Sequence, residues 1–370
     1  MEKYKIGLVP GPVSIPEYIR QSWSNDYGSS DLEDEFFSLY HDNQILTQKL
    51  LHTKNDIVIT SGEAMSILWA SLKCTLKLGE KLLAVSSGMF GEGFADMAKS
   101  FGVNAEVCSF PYDDVPDPER VREHALRFRP KVITAVHCET PSGTLTPCLP
   151  EIGSIAHEVG ALFVVDFVSS AGGAELDVDA CGIDIGLLGS QKVLSLTSSL
   201  SISSISQRAW DVIESVNYSG YESYIGWRNV PETHYMPYTH DWHSMKALNI
   251  SLNSITATDS ITRHEKAAKL CRDMGREAGL QLFPKREEIC SPTVTAFYVP
   301  ECITWPELDA ALRQRGVVVG GNYGTLSGRV FRVGHMGSQA DCELVKEGMN
   351  ILAQVITNHY ALRSRQTQHV

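Results

Sequence analysis

The chain has 370 residues, 43% of them hydrophobic, and carries 32 Lys and Arg against 44 Asp and Glu, a net charge of −12. This balance, without a block of basic residues, argues against a nucleic-acid or anionic membrane surface, because such surfaces require clustered Lys and Arg. No stretch approaches the roughly 18 consecutive apolar residues of a transmembrane helix, and a Pro-Gly-Pro turn interrupts the N-terminal segment before a signal sequence could form. We therefore expect a cytoplasmic protein, whose nine widely spaced cysteines are reduced.

Short apolar runs alternate with helical segments over residues 56–190. The runs are DIVIT (56–60), KLLAVSS (81–87), AEVCSF (105–110), KVITAVHCE (131–139), ALFVVDFVSS (161–170) and IDIGLLGS (183–190). Continuous apolar runs, rather than strict alternation, indicate strands that are buried on both faces of a sheet. The segments between them have capping residues and polar faces, as helices that cover a sheet have. We therefore predict an α/β fold with a doubly wound, mostly parallel sheet.

The pattern changes after about residue 255. A long amphipathic stretch, SITRHEKAAKLCRDMGREAG, precedes the strand-like runs SPTVTAFYVP, GVVVGG and RVFRVGHMG, and a final helical segment follows. This order predicts a smaller α+β domain at the C-terminus. We divide the chain into an N-terminal arm (1–20), a large domain (21–255) and a small domain (256–370).

Polar residues at the C-terminal ends of the predicted strands are candidate site residues, because open α/β sheets bind ligands there. Asp166 ends the run ALFVVD, and Lys192 lies just past the next run. Taken singly, Asp166 could cap a turn and Lys192 could be a surface lysine. As a pair they suit a pyridinium cofactor, which needs an acid beside its ring nitrogen and an amine that holds its aldehyde as a Schiff base.

Three further features favour a ring-and-phosphate ligand. TSGEAMSIL (60–68) leads from a strand through Gly62 into a helix, whose free amides can bind a phosphate, although a plain helix start is the alternative. In HCETPSG (137–143), Thr140 can donate to a phenolic oxygen. Phe90 can stack on a ring, with a place in the hydrophobic core as the alternative.

Taken together, the runs PGPVSIPE, SSGMFGEG, residues 136–192 and GRVFRVGHMG resemble the class V pyridoxal-phosphate aminotransferases. The similarity is to the branch of alanine-glyoxylate, serine-pyruvate and 2-aminoethylphosphonate-pyruvate aminotransferases, and it covers nearly the whole chain. The resemblance implies pyridoxal 5'-phosphate as cofactor and the fold type I of these transferases, with the cofactor on the large domain. It also implies a homodimer with shared active sites that binds amino acid and 2-oxo acid substrates.

The resemblance also assigns roles to individual residues. Lys192 holds the cofactor as a Schiff base and moves the substrate proton, Asp166 pairs with the pyridine nitrogen, and Arg332 binds the substrate carboxylate through its two-pronged guanidinium. Gly11, in PGPVSIPE, is a further substrate-binding candidate. The other residues that the resemblance places around the cofactor are Gly62, Glu63, Ala64, Phe90, Thr140 and Gln191, with Tyr238 and Thr239 reaching it from the neighbouring subunit.

Two segments depart from the family pattern. Glu63 stands where relatives usually have a small or neutral residue, and a carboxylate repels a phosphate dianion unless it points away or pairs with a cation. Residues 217–243 are unusually rich in aromatics and histidines. Their spacing fits no single-face metal motif, so we expect no metal there. Trp227 and Arg228 are instead candidate substrate contacts.

The leading hypothesis is an aminotransferase that moves an amino group from an alanine-like or serine-like amino acid to a glyoxylate-like or pyruvate-like 2-oxo acid. The alternative is a lyase or carbon-carbon bond-forming enzyme of the same fold. A desulfurase is disfavoured because Met336, and no thiol, follows Arg332 in RVGHMGS. The joint presence of Lys192, Asp166 and Arg332 disfavours a binder without catalytic activity.

Overall fold

A seven-stranded sheet lies at the centre of the chain in a computed structural model, which describes residues 3–367. Residues 1, 2 and 368–370, at the outer ends of the predicted arm and small domain, lie outside the described residues. The strands of this sheet and of three two-stranded sheets are β1 (Ile6–Leu8), β2 (Asp56–Ser61), β3 (Lys81–Ser86), β4 (Asn104–Ser109), β5 (Val132–Val136), β6 (Cys138–Glu139), β7 (Thr144–Leu145), β8 (Leu162–Asp166), β9 (Ile185–Gly189), β10 (Leu200–Ile205), β11 (Val294–Tyr298), β12 (Val317–Val319) and β13 (Val330–Gly334).

Helices surround this sheet and form much of the C-terminal part of the chain. The α-helices are α1 (Glu17–Arg20), α2 (Asp34–Leu51), α3 (Met65–Lys73), α4 (Met89–Ser100), α5 (Pro118–Phe128), α6 (Leu149–Glu158), α7 (Gln207–Val216), α8 (Val230–Thr233), α9 (Trp242–Thr256), α10 (Ser260–Glu277), α11 (Trp305–Gln314) and α12 (Cys342–Thr367). Short 3-10 helices lie at Gln21–Ser24, Ile225–Trp227, Glu287–Ile289, Gly324–Leu326 and Gly337–Gln339. None of the helices in the described part of the chain is both long and apolar enough to span a bilayer.

The strands of the central sheet follow the order β2-β10-β9-β8-β5-β3-β4. From β9 to β4 neighbouring strands are parallel, whereas β10 runs antiparallel to both β2 and β9. β5, β8 and β9 are buried along their whole length, as continuous apolar runs predict for strands covered on both faces. The predicted α/β class with a doubly wound, mostly parallel sheet is confirmed.

Two large groups of buried apolar side chains form the core. The larger group lies on the central sheet and draws nearly all its members from residues 13–255. The second joins β1 with α10, α11, α12 and the strands β11 to β13. Because β1 pairs in parallel with β12, the start of the chain packs with this C-terminal group. The division at residue 255 stays a prediction; α9 ends at Thr256 and α10 begins at Ser260.

Candidate active site

A pocket of about 310 Å³ lies at the C-terminal ends of the central strands. Its walls come from the ends of β8 and β9, the turn before α3, the start of α4 and the segment after β1. The structure thus places the pocket where the sheet topology predicts a ligand. The predicted site residues that line it are Gly11, Glu63, Ala64, Phe90, Thr140, Asp166, Gln191 and Lys192.

Lys192 projects into this pocket from the turn after β9. Its Nζ donates a hydrogen bond to the carbonyl of Pro10 at 2.7 Å. Gly11 lies directly against the lysine: a Cβ atom at residue 11 would stand 2.5 Å from Lys192 Cδ, and φ is +91°. Burial, together with the positive charge of Arg332, lowers the pKa of Lys192 to about 8. Near neutral pH a useful fraction of Nζ is therefore neutral and able to accept a proton.

Asp166 ends β8 between β5 and β9, with a side chain that is 6% exposed. Its Oδ1 accepts a hydrogen bond from the backbone N–H of Val168 at 2.8 Å. Among the described residues no cationic side chain comes within 4.0 Å of the carboxylate, and burial raises the pKa of Asp166 to about 6. A protonated ring nitrogen would supply the missing positive partner, so the carboxylate fits a pyridinium ligand.

Glu139 ends β6, and the next residue, Thr140, lines the pocket. The carboxylate of Glu139, 1% exposed, accepts backbone N–H groups of Phe90 at 3.2 Å and Gly91 at 2.8 Å, in the first turn of α4. Burial raises the pKa of Glu139 to about 8. The Thr140 hydroxyl shares a hydrogen bond with that of Ser169 at 2.5 Å. The sequence analysis missed Glu139, although a Glu inside the otherwise uncharged run VHCETPSG was a usable signal.

Arg332 lies on β13, near the segment that bonds to Lys192: a Cβ atom at Gly320 would stand 3.6 Å from Arg332 Nη2 and 2.5 Å from Pro10 Cδ, and the Pro10 carbonyl accepts the hydrogen bond of Lys192 Nζ. Two contacts fix the side chain of Arg332. Nε donates to the carbonyl of Gly321 at 2.9 Å, and the guanidinium lies 4.9 Å from the ring of Tyr323. The residue is 3% exposed, and no carboxylate lies within 4.0 Å of it in the described part of the chain. A buried cation without a counter-ion is costly, so this site is suited to an anionic ligand.

Glu63 and Ala64, in the turn that follows Gly62, line the pocket together with Gln191. Gly62 has a φ of +130°, which favours glycine, and donates its N–H to the carbonyl of Ser199 at 2.8 Å. Oε1 of Gln191 is buried and has no hydrogen-bond partner among the described residues. Glu63 Oε1 accepts the backbone N–H of Met65 at 3.0 Å. This part of the pocket therefore offers polar groups to a ligand, together with a carboxylate.

Besides Gly62 and Arg332, three predicted residues do not line this pocket, namely Tyr238, Thr239 and Arg228. Tyr238 and Thr239 line a separate small cavity with Ser61 and Ser66, and their reach into a neighbouring subunit stays a prediction. Arg228 forms an ion pair with Glu214 on α7.

The guanidinium of Arg228 also lies 4.8 Å from the ring of Trp210, so the structure does not bring Arg228 to the pocket of its own chain. Its neighbour Trp227 is buried in the core, against the ring of His240. Neither residue lines the pocket of its own chain, so their contact with a substrate stays a prediction that would require the pocket of a neighbouring subunit.

The histidine-rich segment holds no grouped metal ligands. His240 is buried and bonds through Nε2 to the carbonyl of Ile59 at 3.1 Å, while Asp241 caps α9 by accepting the N–H of Ser244. Within residues 3–367, no three His, Cys, Asp or Glu side chains are grouped so that they could hold a metal ion. The side chains of His240 and Asp241 are therefore used in packing and capping.

An α/β sheet whose strand ends present a lysine and an unpaired carboxylate, with a buried arginine nearby, is typical of pyridoxal-phosphate enzymes of fold type I. The sequence model described as Aminotransferase class-V matches residues 14–331 of this chain. An uncharacterized aminotransferase of Methanocaldococcus jannaschii is 30% identical over 354 residues, which cover 92% of this chain and 90% of that protein.

Two further similarities agree. Pyridoxamine–pyruvate transaminase of Mesorhizobium japonicum is 29% identical over 350 residues, covering 90% of this chain and 87% of that protein. The crystal structure of alanine–glyoxylate aminotransferase from Nostoc sp. superposes with a TM-score of 0.91 at 26% identity, covering 96% of each chain. The chain belongs to the class-V aminotransferase family, and it is a pyridoxal-phosphate-dependent transaminase.

Proposed function

We propose that this transaminase transfers the amino group of a small amino acid, such as alanine or serine, to a small 2-oxo acid, such as glyoxylate or pyruvate. The observation that carries the proposal is Arg332, a buried guanidinium without a carboxylate partner in the described part of the chain, beside Lys192 and a pocket of only about 310 Å³. A carboxylate is common to amino acids and 2-oxo acids, so one arginine serves both halves of the reaction. The acceptors named for the Mesorhizobium and Nostoc relatives support the same acceptor class.

When bound, pyridoxal phosphate supplies an aldehyde that condenses with amines and a protonated ring that withdraws electrons from the substrate Cα. In this proposal Lys192 is the amine that holds the aldehyde carbon. Its neutral Nζ, favoured by the lowered pKa, would be the base that accepts the proton of the substrate Cα. Asp166 would keep the ring nitrogen protonated, and Thr140 would donate to the phenolic oxygen.

The remaining residues position the substrate. Arg332 fixes its carboxylate, which leaves the Cα proton within reach of Lys192. Phe90 lines the pocket in a turn whose N–H groups bond to Glu139, and its side chain would stack on the ring. Met65, Leu68 and Val168 complete an apolar lining, which suits a short side chain and excludes a charged one.

We also propose a cytoplasmic homodimer with shared active sites. Tyr221 and Tyr238 stack at 4.4 Å and are both exposed, as is Tyr235, so this face carries a cluster of apolar rings suited to a second copy. Thr239 lies in the same segment, as a residue shared between subunits would. The nine cysteines, all within the described residues, are free thiols, as is typical of a reducing compartment.

The test is a half-reaction on the purified holoenzyme. L-Alanine or L-serine should convert the absorbance band of the bound cofactor from its aldehyde form to its amine form, and glyoxylate or pyruvate should restore it. Lys192→Ala should abolish the conversion, whereas Lys269→Ala, which removes an exposed lysine on α10, should not change it. If one amino acid without an acceptor instead yields pyruvate and ammonia continuously, the lyase alternative is correct.

A further inference from the structure

Glu63 places a carboxylate at the end of the pocket where a phosphate is expected. The residue lines the pocket in the turn between Gly62 and Ala64, and its side chain is exposed. Among the described residues no Lys, Arg or His nitrogen lies within 4.0 Å of its carboxylate. The carboxylate therefore lines the pocket without a cation that would compensate its charge beside a phosphate.

The Glu63 carboxylate also uses a donor that a phosphate would need. A phosphate at the start of α3 would accept the free N–H groups of its first turn. Here the N–H of Met65 is donated to Glu63 Oε1 at 3.0 Å, and the N–H of Ser66 to the backbone carbonyl of Glu63. The Ser66 hydroxyl is also donated to that carbonyl. Two of the amides and one hydroxyl of this turn are therefore already satisfied within the protein.

The charges around the pocket add to this effect. Of the residues that line it, Lys192 is the cation, and Glu63 and Asp166 are the carboxylates. A phosphate monoester brings between about 1.5 and 2 further negative charges at neutral pH. Asp166 is balanced by a protonated ring nitrogen, but Glu63 and the phosphate would face one another. A neutral hydroxymethyl group in the same place would instead donate a hydrogen bond to the Glu63 carboxylate.

We propose that Glu63 is a specificity-determining residue that admits the unphosphorylated vitamers pyridoxal and pyridoxamine and weakens the binding of their phosphate esters. The ligand class is a 3-hydroxypyridine with an uncharged hydroxymethyl group. The hydroxyl of that group donates a hydrogen bond to the carboxylate of Glu63. This inference rests on the proposed function, because the ring must bind over Asp166. The buried and unpartnered Oε1 of Gln191 is a second acceptor for a hydroxyl at this end.

The test compares equilibrium binding of two probes. The full-length protein is freed of cofactor by dialysis against an amine, and pyridoxal and pyridoxal phosphate are titrated separately in a calorimeter. The measured quantity is the ratio of the dissociation constant of pyridoxal phosphate to that of pyridoxal. Glu63→Gln removes the charge and keeps the shape, so this ratio should fall at least tenfold. Glu63→Ser should give a change in the same direction.

The matched control is Asp96→Asn, which removes one exposed carboxylate on α4 outside the pocket lining. Its ratio should equal that of the wild type. A change of less than tenfold in both Glu63 variants, or an equal change in Asp96→Asn, overturns the proposal. If the wild type binds neither probe, the cofactor assignment behind the proposed function fails as well, so the two failures are distinguishable.

Discussion

The pocket and the segment 217–243 differ in whether their charged side chains have oppositely charged partners. Around the pocket, Asp166 and Arg332 are buried and, among the described residues, have no oppositely charged side chain within 4.0 Å. In the segment 217–243, Arg228 pairs with Glu214 and Glu222 pairs with Lys73, whose Nζ lies 2.6 Å from the carboxylate. Both regions stand out in the sequence, but the charges named for the second have partners within the protein, and those named for the first do not.

This difference in charge pairing indicates which region binds a ligand. A charge that is removed from water and left without a partner costs several kcal/mol, and a protein retains such a charge where a ligand compensates it. A charge that already has a partner at the surface contributes at most about 1 kcal/mol and needs no ligand. We therefore expect large effects on substrate binding from the first region and small ones from the second.

The largest effect should follow from Arg332→Ala. Losing charge-assisted hydrogen bonds to the substrate carboxylate should raise KM for the amino acid about 100-fold, because such bonds contribute roughly 3 kcal/mol. Arg332→Lys keeps the charge but loses the planar fork, so KM should rise less, and kcat should fall through misplacement of Cα. Steady-state kinetics with both substrates measures this. Arg329→Ala, at an exposed position just before β13, should leave KM unchanged; an equal rise there would point to a general charge effect.

Gly11→Ala should give the next largest effect. A Cβ atom at this position meets Lys192 Cδ at 2.5 Å, so the lysine must move and activity should fall at least tenfold. Gly160→Ala is the matched control, since Gly160 also has a positive φ, +75°, but no atom lies within 4 Å of its added Cβ. It should cost only about 1 kcal/mol of folding free energy and no activity. Similar kinetics for the two variants would show that Gly11 does not position Lys192.

Much of the fold could be read from the sequence, because buried parallel strands appear as continuous apolar runs. In the central sheet the exception is β10, which is fully buried but contains Ser201, Ser203 and Ser204 and so lacks a continuous apolar run. Their hydroxyls have partners that only the folded chain provides, such as the Gly62 carbonyl for Ser201 and Tyr224 for Ser203. Local patterns do not reveal bonds of this kind, because the partners are distant in sequence.

The site could be predicted where residues follow strand ends, as for Asp166 and Lys192. No local pattern connects Arg332 to Lys192 across 140 residues, and only the resemblance brought them together. Glu139 was missed because its partners are backbone groups of α4. The composition of segment 217–243 also could not distinguish a ligand contact from an ion pair with a neighbouring helix, as for Arg228 and Glu214.

Glu139→Gln should change how stability depends on pH. Because burial raises the pKa of folded Glu139 to about 8 from an ordinary 4.5, the unfolded chain releases this proton at lower pH than the folded one. The folded state therefore loses stability as pH rises from about 4.5 to 8. The amide that replaces the carboxyl in this variant cannot titrate, so the free energy of unfolding should fall less over that window, by on the order of 4 kcal/mol.

Thermal unfolding of the cofactor-free protein at pH 5 and pH 8 measures this difference. The negative charges that face Glu139 are Asp166 and Glu92, and both are retained in the variant. Their contributions therefore cancel in the comparison. Parallel curves for the wild type and Glu139→Gln would show that the carboxyl is ionised in the folded protein across this range, with its charge carried by the N–H groups of Phe90 and Gly91.

The smallest effect should come from Arg228→Ala. The guanidinium is satisfied by Glu214, by Gln207 Oε1 at 3.1 Å and by the ring of Trp210, so its loss should lower the free energy of unfolding by about 1 kcal/mol. KM and kcat should stay within about twofold of the wild type, because a charge with partners inside its own chain has none left for a substrate. A rise in KM as large as that of Arg332→Lys would break the comparison, since it would require Arg228 to leave Glu214 and bind substrate in the pocket of a neighbouring subunit.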